Sequence, residues 1–213
     1  VIFDMDGVLL DNFEAWKKFD GIFLEQFGII PDKEYSIFVN GRSQEEVAIW
    51  LKQKYNLKES AEQIQTSKIN YIKKVYEIES KPMEGIENLL KKIKKSGLKL
   101  ALCSGAKMWM IDAVLDRFHW RDYFDVIVSS DHVNYIGKPN PEIYLHTARL
   151  LNVKPENCVV FEDAENGVEA AKRAGMKCIA VPNSRWSFGD FSRADLVVSS
   201  LEDEKILEFL DIE

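Results

Sequence analysis

Six short, almost continuously apolar runs constrain this chain more than any other feature: V-I-F (1–3), L-K-L-A-L-C (98–103), D-V-I-V (125–128), C-V-V-F (158–161), C-I-A-V (178–181) and L-V-V (196–198). A strand with one wet face alternates apolar and polar residues. Most of these runs do not, which predicts parallel strands covered on both faces. Helical patterns separate most of the last five. Ile86, Leu89, Leu90 and Ile93 follow i, i+3, i+4, i+7, with Lys91, Lys92, Lys94 and Lys95 largely on the other side and Gly97 as a stop. Ala164, Gly167, Val168 and Ala171 mark a further helix, closed by Gly175. Strand and helix in turn predict a doubly wound α/β sheet.

The stretch 13–79 breaks that rhythm, with almost no strand-like run and several helical ones. It predicts an inserted helical unit, leaving 1–12 and 80–213 as the α/β core. Ser43 with Glu46, and Ser60 with Gln63, match the S/T-x-x-E/Q capping box, so helices are expected to begin after each. Trp50, Leu51, Phe19, Phe23 and Phe27 are expected in the core of this unit. Because the insert enters directly after the first strand and leaves before Pro82, it is expected above that strand's carboxyl end.

Composition narrows the function. The 213 residues carry a net charge of -7, which disfavours a nucleic-acid or anionic-membrane surface and requires any anionic ligand to be held by a local arrangement. Cys103, Cys158 and Cys178 lie in or beside apolar runs with no C-x-x-C pair, the pattern of buried, reduced thiols in a cytoplasmic protein. No apolar segment approaches the roughly 20 residues of a membrane helix. The sequence begins at Val1 rather than Met, so a few preceding residues or a removed leader are left open.

In open α/β sheets ligands gather at the carboxyl ends of strands. After the first strand come Asp4 and Asp6; after L-A-L-C come Ser104 and Gly105; after C-V-V-F come Glu162 and Asp163. Lys138 lies in G-K-P-N-P, ahead of a helix expected near Pro141. Singly, each has an ordinary reading: a turn-forming serine, an exposed lysine, acidic residues complementing a helix dipole. Like charges 4 Å apart cost about 1 kcal/mol in water and about 4 kcal/mol at a protein-like effective dielectric. Four carboxylates brought together therefore need a cation, and an all-oxygen set suits Mg2+. A serine hydroxyl, backbone N–H groups and a lysine beside it would complete a phosphate site.

D-M-D-G-V, C-S-G, G-K-P-N-P and F-E-D-A-E-N-G resemble, in order, the four motifs of the haloacid dehalogenase superfamily, and the resemblance covers nearly the whole chain. It implies a Rossmann-like core with a helical cap. It further implies that Asp4 is the nucleophile, Asp6 the general acid and base, and Ser104, Gly105 and Lys138 binders of the phosphate. Asp4, the Asp6 carbonyl, Glu162 and Asp163 are implied as the Mg2+ shell. Dehalogenases of the superfamily lack the second aspartate, so Asp6 favours phosphate chemistry. The opening and closing motifs look most like the group holding β-phosphoglucomutases and sugar-phosphate phosphatases. The expected partner is thus a small phosphorylated metabolite, with neither nucleic acid nor membrane, and the analogy implies a monomer.

Mutases of that group carry a histidine where this chain has Trp16, and a K-G-V-S-R cap loop where it has Asn40, Gly41, Arg42, Ser43 and Gln44. These departures favour hydrolysis over the mutase alternative. Arg42 is a candidate contact for the substrate, or a solvated residue at a helix start. A non-hydrolytic phospho-receiver module is the third reading, and it fits less well, because receivers are shorter and have no cap.

Overall fold

The computed structural model describes residues 1–39 and 44–212, and all six apolar runs form one parallel sheet. Its strands are β1 (Ile2–Phe3), β4 (Ala101–Cys103), β5 (Val126–Val128), β6 (Val159–Glu162), β7 (Lys177–Ala180) and β8 (Leu196–Val197). A separate antiparallel ribbon pairs β2 (Leu10–Asp11) with β3 (Lys81–Pro82), joining Leu10 to Pro82 and Asp11 to Lys81. Two residues per strand are too few to leave an alternation, and the sequence reading did not foresee the ribbon.

The sheet order is β5-β4-β1-β6-β7-β8. Chain order runs outward from β1 through β4 to β5, then restarts on β1's other side with β6, so the switch in strand order falls between β1 and β6. That is where doubly wound sheets open a crevice at their carboxyl ends. The register aligns Phe3 with Leu102 on one side and with Phe161 on the other. The Phe3 and Phe161 rings stack at 4.5 Å between centroids. With those residues level, Asp4 and Glu162 emerge side by side.

The chain divides into two compact units, Val1–Asp11 with Lys81–Glu213, and Asn12–Ser80. The first holds the sheet and helices α5 (Ile86–Lys95), α6 (Met108–Phe118), α7 (Glu142–Leu151), α8 (Glu165–Arg173) and α9 (Lys205–Leu210). On α5 the buried residues are Ile86, Leu89, Leu90 and Ile93, the spacing read from the sequence, while the lysines at 91, 92, 94 and 95 face water. Ile2, Ala101, Val128, Val160 and Cys178 from the strands pack with Ile143, Tyr144, Val168 and Ala171 from α7 and α8.

The second unit holds α1 (Phe13–Glu25), α2 (Lys33–Val39), α3 (Gln44–Tyr55) and α4 (Ala61–Lys74). Its core includes Phe23, Leu24, Tyr35, Val47, Leu51 and Ile64, with Phe27 and Trp50 partly buried against it, and Phe19 is buried in a neighbouring cluster. Ser60 caps α4 as expected: its Oγ accepts from Gln63 N at 3.1 Å, and its own N donates to Gln63 Oε1 at 2.8 Å. The other expected capping box begins at Ser43, outside the described residues. Lys68, on α4, is buried with its Nζ 2.8 Å from Asp20. Among the described residues no helix is long and apolar enough to cross a membrane.

Truncating a fully buried α5 side chain should leave a void that the packed sheet cannot close. Leu90→Ala is expected to cost about 2–5 kcal/mol, read as a shift in urea midpoint, while Lys91→Ala on the exposed face should change stability by less than about 0.5 kcal/mol.

Candidate active site

β1 ends at Phe3, and the next residue, Asp4, donates its backbone N–H to Phe161 O at 3.1 Å, so the carboxylate leaves the sheet at the switch point. Lys138 Nζ lies 2.5 Å from Asp4 Oδ1 and 2.5 Å from Glu162 Oε1, bridging the ends of β1 and β6. The ammonium also sits 5.0 Å from the Tyr144 ring centroid. Asp4, Glu162 and Asp163 are all buried, and each offers an oxygen within 4.8 Å of the others'.

Glu162 is saturated by donors from the chain. Its Oε1 accepts from Lys138 and, at 2.6 Å, from the Tyr144 hydroxyl; its Oε2 accepts from the backbone N of Asp163 at 3.0 Å and of Ala164 at 3.2 Å. A carboxylate has about four lone-pair positions, and all are used here. Asp163 is held differently. Its Oδ2 accepts from Trp186 Nε1 at 2.7 Å and lies 3.4 Å from Ser187 Oγ.

Two glycines make room for these groups. A Cβ at Gly7, where φ is +82°, would meet Asp163 Oδ2 at 2.1 Å, and one at Gly167 would meet the Glu162 carboxyl at 1.9 Å. The glycines of D-M-D-G-V and F-E-D-A-E-N-G thus make room for the carboxylates of the fourth motif, in addition to the left-handed backbone at Gly7.

Ser104, buried, follows β4; its N donates to Val128 O at 3.0 Å and its Oγ accepts from Ala106 N at 3.1 Å. Gly105 is exposed beside it, in the turn leading to α6. Asp6 lies half-buried in the turn after β1, outside the group of three clustered carboxylates, and its charge is felt at Asp163. Arg42 lies outside the described residues. The sequence reading missed Tyr144 and Trp186. Tyr144 lies in the apolar pattern of α7, where nothing sets it apart, and Trp186 lies several residues beyond the end of β7, past the positions directly after the strands.

Burial pushes the Asp4 carboxyl well above its ordinary pKa, with Glu162 and Asp163 adding to the rise and Lys138 opposing it. Burial would by itself lower Lys138, but Asp4 and Glu162 outweigh it and hold the ammonium well above its ordinary value. Lys138 therefore remains charged. Burial and then Glu162 push Asp163 up to about 7. A cluster whose members resist ionising together is one that a dication would complete, and its oxygens are the donors that a hard ion takes. The residues fit a magnesium-like ion.

Residues 1–181 match the family model of haloacid dehalogenase-like hydrolases. The chain is 37% identical over 183 residues to the phosphorylated carbohydrates phosphatase of Thermotoga maritima, covering 84% of this chain and 82% of that one. It is 32% identical over 214 residues to the β-phosphoglucomutase of Bacillus subtilis, covering 95% and 90%. Among solved structures, a mutant of CbbY from Rhodobacter sphaeroides in complex with xylulose-(1,5)bisphosphate superposes with a TM-score of 0.81 at 27% identity, covering 93% and 92%. The chain belongs to the haloacid dehalogenase-like hydrolases.

Two outcomes follow from the site's crowding. Gly7→Ala places a methyl group on Asp163 in a left-handed backbone position and is expected to cost about 1–3 kcal/mol in urea unfolding. The second concerns pH. With its folded pKa above its unfolded one, Asp163 retains a proton in the folded state between about pH 4 and pH 7, so it makes the cation-free protein less stable as pH rises through that window. In EDTA, the Tm of Asp163→Asn minus that of the parent is expected to increase from about pH 5 to about pH 8.

Proposed function

We propose that this chain is a Mg2+-dependent phosphatase that hydrolyses a small phosphomonoester, a sugar phosphate, through a phosphorylated Asp4. The observation that carries the reading is the Lys138 bridge between Asp4 and Glu162, beside Asp163 and at the switch point of the sheet. The sugar-phosphate class is supported by the phosphorylated carbohydrates phosphatase among the relatives and by the sugar bisphosphate in the CbbY complex.

Asp4, Asp163 and the Asp6 carbonyl would hold the ion, which when bound neutralises charge on the transferring phosphoryl group, while Glu162, expected from the sequence in the same shell, has its oxygens taken by donors from the chain. Asp4 attacks phosphorus: a carboxylate oxygen–phosphorus bond forms as the bond to the leaving oxygen breaks. Asp6 gives that oxygen its proton, then takes one from the water that cleaves the acyl phosphate and frees Asp4. Lys138 holds the phosphoryl oxygens by charge, and the Ser104 hydroxyl and the Gly105 N–H donate to them. Glu162, engaged on all sides, keeps Lys138 in place. Arg42, outside the described residues, is kept as a candidate contact for the substrate.

The similarity to a β-phosphoglucomutase favours one competing reading, transfer of phosphate between positions of the sugar. Trp16, where mutases carry a histidine, argues against it. Given β-glucose 1-phosphate and its bisphosphate primer, the enzyme is expected to release inorganic phosphate, and accumulation of the isomerised monophosphate would establish the mutase instead. Asp4→Asn is expected to lower kcat by at least about 10³-fold on any good phosphomonoester, checked by phosphate release in Mg2+, because it removes the nucleophile on which the other groups act.

A further inference from the structure

The segment after β7, Pro182–Ser187, reaches the site through Trp186, which donates its indole N–H to Asp163 Oδ2 at 2.7 Å, with Ser187 Oγ 3.4 Å from the same carboxylate oxygen. The loop holds that ring firmly. Trp186 N and Ser187 N both donate to Asn183 O, at 3.0 and 2.7 Å, and Asn183 N donates back to Ser187 Oγ at 3.0 Å. Arg185 covers the indole, its guanidinium carbon 4.7 Å from the ring centroid, and reaches Asp11 Oδ2 at 2.7 Å. The indole is thus bounded by a carboxylate at its edge and a cation on its face, both anchored elsewhere in the same unit.

We infer that Trp186 is a positioning residue that, with Ser187 beside it, occupies Asp163 Oδ2, so that Asp163 offers a dication only its other oxygen, and that this biases the site toward Mg2+ over Ca2+. The inference rests on the reading of Asp163 as a metal ligand. An indole N–H can only donate, and at 2.7 Å it takes one acceptor position of Oδ2, with the Ser187 hydroxyl at 3.4 Å beside the other. Mg2+ demands near-ideal octahedral geometry and draws on one or two carboxylates, whereas Ca2+ takes six to eight oxygens and accepts a carboxylate through both at once. Locking Asp163 to one oxygen therefore costs Ca2+ a ligand and costs Mg2+ nothing. With Lys138 on Asp4 Oδ1, and Lys138 and Tyr144 on Glu162 Oε1, each of the three clustered carboxylates has an oxygen engaged by the chain's own donors.

The test is direct metal binding to the full chain stripped of metal, by titration calorimetry with Mg2+ and Ca2+ and by electron paramagnetic resonance with Mn2+. Trp186→Phe keeps the ring and removes the donor. It is expected to weaken Mg2+ and Mn2+ binding by about 10–100-fold. Ca2+ binding should weaken less, narrowing the preference for Mg2+. Asp163→Asn is run beside it. If Asp163→Asn loses the metal while Trp186→Phe binds Mg2+ like the parent, the role given to Trp186 is wrong and the metal reading stands. If Asp163→Asn binds metal like the parent, both are wrong. A Trp186→Phe chain that loses Mg2+ and Ca2+ affinity equally would retain the positioning role and overturn the bias. Should that variant fail to fold, Arg185→Ala, which frees the indole face, is expected to weaken Mg2+ binding several-fold, and unchanged binding would overturn the proposal.

Discussion

One part-buried ammonium between two buried carboxylates governs the carboxyl-terminal edge of this sheet. β1 and β6 are locked in register by their ladder and by the stacked Phe3 and Phe161, so Asp4 and Glu162 must leave the sheet next to each other. Left alone they would repel in a medium that screens poorly. Lys138, 134 residues along the chain from Asp4, offsets that repulsion and is itself kept charged by it. Breaking such a trio by removing the cation would strand two carboxylates, which is far costlier than losing an exposed ion pair.

The same logic reconciles an acidic protein with an anionic substrate. The net charge of -7 works against any phosphate at long range. At the strand ends the balance is set locally, by donors that occupy the carboxylate oxygens: Tyr144 and two backbone amides on Glu162, Trp186 on Asp163. Burial then makes each remaining charge act at close quarters, where Lys138 counts for more than the surface field.

Much of this was written in local pattern. Parallel strands buried on both faces leave continuous apolar runs, and α5 leaves its period, so the sheet and that helix were legible without tertiary knowledge. So were Asp4, Ser104, Glu162 and Asp163, because each directly follows or ends a strand. Tyr144 was not, since a tyrosine in an apolar helix pattern gives no sign that its hydroxyl meets a glutamate 18 residues on. Lys68 was not either: an ammonium buried against Asp20 is a product of packing among helices and has no period of its own. The two-residue ribbon fell below the length at which alternation can register. Gly167 was read as a helix residue and Gly7 only as part of its motif, and the side chains lying over them show what a Cβ at either position would meet.

That ribbon has an evolutionary corollary. By pairing Leu10 with Pro82 and Asp11 with Lys81, it fastens together the two points at which the chain departs from and rejoins the sheet unit. The closure entropy of whatever lies between is met by backbone hydrogen bonds at the seam, and lengthening a loop adds to it only slowly. The seam is therefore a graft point, where helical inserts of different length and surface could be exchanged without disturbing the register that brings Asp4 beside Glu162, and substrate range could diversify over an unchanged reaction edge.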